Sequence, residues 1–234
     1  MPPAMPRTTA ISGPLTFLFA AMSGLVIIGF YPSYFSKLLD TSFSFHVHGL
    51  LMFAWMGALI AQATFIRTHR MDLHRRAGKL SFALAPLIVL SGVIVIRETY
   101  DGIEMGREAL QRLSVPAFAI AQFALSYALA MAYRRRPELH ARYMISTGLV
   151  LTFAGTLRMF LNWAPGISSG PDAVNANYFL FEMVTAGLIL NDLRLGQLRA
   201  PFVLTLILFG TNHIFFATAR DLAWWRTLAT WIVG

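Results

Sequence analysis

Apolar residues gather in seven runs along the chain, at 14–31, 47–66, 80–96, 115–133, 143–161, 178–190 and 202–219. Between them lie short polar connections rich in Arg, Pro and Gly. A helix rises ~1.5 Å per residue, so about twenty such residues cross the ~30 Å hydrocarbon core of a bilayer. The pattern predicts an all-α bundle of seven transmembrane helices forming a single domain over residues 1–234, the sixth span being the shortest. The first run follows Arg7 and leads into Tyr31-Pro32-Ser33-Tyr34-Phe35, with no small-residue cleavage motif, so it reads as a helix and not as a signal peptide. The remaining tail, 220–234, carries Trp224, Trp225 and Trp231 and reads as an amphipathic anchor at one interface.

The second run is the most informative. His46-Val47-His48-Gly49 opens it, and Arg67, Arg70, Arg75, Arg76 and Lys79 close it around His74. Trp55 and Gln62 lie seven and fourteen places after His48. At ~100° per residue all three fall within about 40° of one another, a polar thread that in lipid should turn toward other helices.

Composition agrees with the pattern: 56% of the 234 residues are hydrophobic and 13% charged, with a mean hydropathy of +0.59. The formal charge of +8 does not point to nucleic acid, because the basic residues sit in clusters between apolar runs and not along one face. They sort by side. The N-terminus and the second, fourth and sixth connections carry twelve (Arg7, Arg67, Arg70, Arg75, Arg76, Lys79, Arg134, Arg135, Arg136, Arg142, Arg194, Arg199). The opposite side carries seven (Lys37, Arg97, Arg107, Arg112, Arg158, Arg220, Arg226). The positive-inside rule then puts the N-terminus in the cytoplasm and the C-terminus outside, with a bacterial inner membrane as the expected compartment.

With no cysteine in the chain, thiolate ligands, disulfides and iron–sulfur clusters are excluded. Ionisable residues within the spans mark a site by default. On the predicted orientation His46, His48, Arg158, Glu182 and His213 fall in the outer leaflet, with Arg158 and Glu182 as expected partners. His74 and His140 fall at the cytoplasmic boundary, each in a Leu-His-x-Arg sequence. Gly148 and Gly155 flank the face shared by His140 and Arg158, where a helix or a flat cofactor could approach closely.

The combination of His46, His48, Gly49, Trp55 and Gln62, then His74, Arg75 and Gly78, then His140 and Met144, then Arg158 resembles a group of bacterial multi-helix membrane proteins of unknown function. That group is itself loosely similar to membrane b-type cytochromes. The resemblance covers roughly the second to fifth helices and implies a fold more than an activity.

Three functional readings follow. The first is a haem b protein in electron transport with a quinone or a redox protein. His48 and His213 would hold an outer haem with Arg158 on a propionate, and His74 and His140 an inner one. The second is a non-haem Zn or Fe site of His46, His48, His213 and Glu182. Because His46 and His48 are about 200° apart on a helix, it requires the helix to begin at or after His48. The third is a subunit or scaffold without chemistry of its own, docking a membrane-complex partner. A retinal-type Schiff base is set aside, since Lys37 and Lys79 both lie outside the runs.

Overall fold

The computed structural model describes residues 7–167 and 169–234, with side chains from residue 14 onward; the Arg7 side chain lies outside the described residues. Among them there is no strand. Eight α-helices follow one another: α1 Arg7–Phe30, α2 Phe43–Arg67, α3 Met71–Tyr100, α4 Arg107–Ala132, α5 Pro137–Trp163, α6 Gly170–Arg194, α7 Ala200–Thr218 and α8 Ala223–Val233. Short 3-10 segments, Phe35–Asp40 kinked at Lys37 and Ala219–Asp221 a single turn, precede α2 and α8. In lipid every backbone N–H and C=O must be satisfied within its own segment, and helices do this. Proline at the start of α5, α6 and α7 fixes where each begins without losing a bond. The α6–α7 turn needs a left-handed residue, which Gly196 supplies at φ +63°.

Helices α2 to α7 are long and apolar enough to cross a bilayer, which makes this a multi-pass membrane architecture; α1 contributes a shorter apolar stretch, Pro14–Phe30. The helices overrun the apolar runs at most ends. The sixth is the clearest case: the run 178–190 becomes a 25-residue helix, as long as α2. Its first turns are polar, but Ser169 caps the N-terminus by accepting from the Asp172 N–H. Asn177, fully buried, donates to the Phe153 carbonyl and accepts from the Thr156 hydroxyl of α5.

Helix α5 is the axle of the bundle. It packs on α1, α2, α4, α6 and α7. Of its spanning window 61% is buried, against 22–33% for the other five. Since lipid tails are as apolar as leucine, hydrophobic burial gives little net drive here, and close contact and interhelical hydrogen bonds hold the bundle. Ser146 bonds Thr205 of α7, Trp55 of α2 donates to Thr147, and Asn212 of α7 donates to Gln122 of α4.

The glycine face of α5 is occupied by α1. Gly148 lies against Phe19 and Met22, and Gly155 against the backbone of Leu25 and Val26. A Cβ on Gly155 would stand 2.7 Å from the Val26 Cα, and one on Gly29 would meet the Gly155 carbonyl. Of the two expected occupants, a helix fills this face.

Gly155→Ala should therefore displace α1 and cost about 1–3 kcal/mol in thermal unfolding in detergent. Gly57→Ala, with nothing within 4 Å of the new methyl, should stay within ~0.5 kcal/mol of the parent. Equal stability of the two variants would remove the tight α1–α5 contact.

Candidate functional site

The end of the bundle where α2 finishes, α3 starts, α4 finishes and α5 starts gathers four of the sequence-predicted residues. His74 is the fourth residue of α3 and His140 the fourth of α5, the same place in each helix. The His74 ring lies against the backbone of Gln62 and within electrostatic reach of His140. One turn beyond His74, Gly78 faces the Gln62 amide: a Cβ there would be 3.6 Å from Nε2. Both His74 Nδ1 and Gln62 Oε1 are buried without a hydrogen-bond partner among the described residues. Unmet buried polar atoms are uncommon, and two at one place mark somewhere a ligand could complete.

The proton on His140 is fixed by its neighbour. Nδ1 is 2.9 Å from the Ala130 carbonyl, which can only accept, so Nδ1 carries the hydrogen. In the neutral ring the lone pair is then on Nε2, as a metal ligand or proton acceptor requires. Deeper along the same seam, Ser81 and Tyr127 share a 3.0 Å hydrogen bond, and the Tyr127 ring meets Trp55 edge-on at 5.4 Å. Trp55 is buried, its indole N–H spent on Thr147. Trp55 and Gln62 thus face neighbouring helices as their spacing predicts, Trp55 as a tie between helices and Gln62 as part of the unsatisfied cluster.

The other end separates its predicted residues. His48 Nδ1 is 2.9 Å from the Ser91 hydroxyl, whose hydrogen goes to the Ile88 carbonyl, so His48 donates and its Nε2 bears the lone pair. Arg158 lies close enough to act on His48 electrostatically; it stacks on Phe30 at 4.0 Å and donates to the Ala154 carbonyl. His213 instead belongs to α6 and α7. Its Nδ1 is 2.9 Å from Glu182 Oε1, and its ring stacks on Tyr178 at 5.0 Å. Two expectations fail here. Glu182 pairs with His213 and not with Arg158. His48 and His213 do not face each other, since α2 packs on α1, α3 and α5 and α7 on α4, α5 and α6.

The metal set His46, His48, His213 and Glu182 is not assembled either. Because α2 begins at Phe43, both histidines are already helical and diverge: His46 bonds the Tyr34 hydroxyl at 2.9 Å while His48 turns to α3. No group of three or more His, Asp or Glu side chains among the described residues is placed to hold a metal ion.

One strong pair was not read from the sequence. Arg142, counted there as a topology charge, is buried and forked onto Asp192 of α6, with Nε to Oδ2 at 2.8 Å and Nη2 to Oδ1 at 2.5 Å. Asp192, an acid just past the end of the sixth apolar run, was the available signal. Arg199, just before α7, pairs with Glu138 beside Arg142's turn, so the start of α5 is tied to two neighbours.

Comparison with protein-family models, with curated proteins and with solved structures gave no match, and the assignment rests on this geometry.

Removing one member of the buried pair leaves the other charge stranded. Arg142→Ala and Asp192→Ala should each destabilise by about 3–5 kcal/mol, and the double variant by clearly less than their sum, in a double-mutant cycle read by unfolding in detergent. Additive losses would show that the two charges do not depend on each other.

Proposed function

We propose that this chain binds haem b at the end of the bundle formed by the α2–α3 and α4–α5 turns, between His74 and His140. In this reading it serves electron transfer with a redox protein or a quinone in a bacterial inner membrane. The observation that carries the reading is the buried, partnerless His74 Nδ1 beside an imidazole whose tautomer leaves Nε2 free. Two neutral imidazoles from different helices are the donor set that low-spin haem takes. Bound there, haem would supply a one-electron centre. The Ala130 carbonyl would orient His140 and raise its basicity, as a second-shell acceptor does. Gln62 would offer its amide to a polar substituent. The outer pairing of His48 with His213 does not fit, because the two rings have different neighbours, and we do not carry it forward.

The same reading takes α1 as a seventh span and the His74–His140 end as cytoplasmic. Support comes from the basic residues: the turns at that end hold Arg67, Arg70, Arg75, Arg76, Lys79, Arg134, Arg135 and Arg136, the excess that faces the cytoplasm.

The purified full-length protein, expressed with ample haem, should show sharp reduced bands of a low-spin b haem after dithionite. His74→Ala and His140→Ala should each abolish or broaden them, while His213→Ala leaves them intact. Loss in His213→Ala with retention in the other two would move the site to the other end. A featureless spectrum with stoichiometric zinc or iron would replace haem with a non-haem metal. Neither chromophore nor metal would leave a scaffold or subunit role.

A further inference from the structure

Helix α8 divides into three sectors. Trp225, Ala229 and Ile232 turn inward onto the end of α3 and the start of α4, where the Trp225 indole donates to the Leu110 carbonyl and Arg97 donates to the Ile232 carbonyl. Trp224, Leu228 and Trp231 form a second apolar stripe at i, i+4 and i+7, and this one is exposed, Trp231 at 73%. The third sector is polar and includes Arg226, Thr227 and Thr230.

Beside the start of α8 is a cleft of about 250 Å³ lined by Arg107, Arg220, Asp221, Leu222, Ala223 and Arg226. Asp221 is held by Arg107 at 2.6 Å and by Arg220 at 3.6 Å, so one carboxylate spans two guanidinium groups. Arg226 makes a long contact of 3.4 Å to the Met105 carbonyl. Three arginines against one aspartate leave the cleft two charges positive. Each guanidinium has five N–H donors, so most remain unspent.

We propose that this cleft binds the phosphate of a phospholipid carrying net negative charge, in the leaflet that the Trp224–Leu228–Trp231 stripe enters. Tryptophan at the stripe fixes the depth at the headgroup level, where indole rings prefer to lie. An arginine cluster at that level meets the phosphodiester, for which the planar fork is suited. The two surplus charges select among lipids: a zwitterionic headgroup brings its own cation into the cleft, whereas an anionic one does not. The proposal is independent of any haem at the opposite end of the bundle.

The test is native mass spectrometry of the full-length protein in mild detergent, titrated with phosphatidylglycerol or with phosphatidylcholine. Phosphatidylglycerol should bind at least several-fold more tightly. The Arg220→Gln/Arg226→Gln variant should lose on the order of ten-fold or more, at ~1 kcal/mol per arginine. Arg134→Gln/Arg135→Gln, at the other end, should bind as the parent does. Inorganic phosphate at equal concentration should not displace the lipid. Arg226→Gln alone, losing only the long Met105 contact within the fold, gives a second reading if the double variant unfolds, and should weaken binding about five-fold. Equal binding of the two lipids, unchanged binding in Arg226→Gln, or displacement by free phosphate would each overturn the proposal.

Discussion

In a bilayer core, water cannot rescue a polar group that protein leaves unpaired, and this constraint shapes the bundle around α5. Its Ser146, Thr147 and Thr156 each meet a partner on a different helix, on α7, α2 and α6 in turn. Arg142 adds a buried ion pair to α6. None of these contacts is exceptional alone, since interhelical hydrogen bonds in lipid are individually modest. Their arrangement around a single helix sets which neighbours can approach. The glycines complete it, because α1 seats its backbone against α5 only where Gly29 and Gly155 carry no side chain.

The same constraint gives meaning to the atoms that break it. Most polar side chains within the bundle have partners, down to the Asn177 amide. His74 Nδ1 and Gln62 Oε1 do not, nor do Gln122 Nε2 and Arg199 Nε. His213 and Glu182 show the opposite solution: imidazole and carboxylate satisfy each other, framed by Tyr178 and Phe179. That pair is self-sufficient, whereas the His74 cluster is incomplete as it stands.

The sequence carried the helices well because apolar length and basic turns are local signals. The period-seven marking of α2 was also legible: His48, Trp55 and Gln62 each turn to another helix. Legibility ended where a statement needed to know which helices are neighbours. Placing His48 opposite His213 required α2 beside α7, and no local pattern reports that. The Arg142–Asp192 pair joins residues 50 apart, and its arginine was hidden among four basic residues that all served as topology signals. The sixth helix read as the shortest for the same reason that it packs well, since Asn177, Glu182 and Asp192 lower its hydropathy while bonding to α5 and α7.

The Arg142–Asp192 fork lies two residues beyond His140 on α5, and the Ala130 carbonyl holds the imidazole from the other side. Sliding or rotating that part of the helix would uncouple two buried charges and orphan a ring nitrogen at once. The ring is therefore held in one position. If haem binds there as proposed, so fixed a frame would leave little nuclear rearrangement on gain or loss of an electron, and a low reorganisation energy would favour fast exchange with a partner.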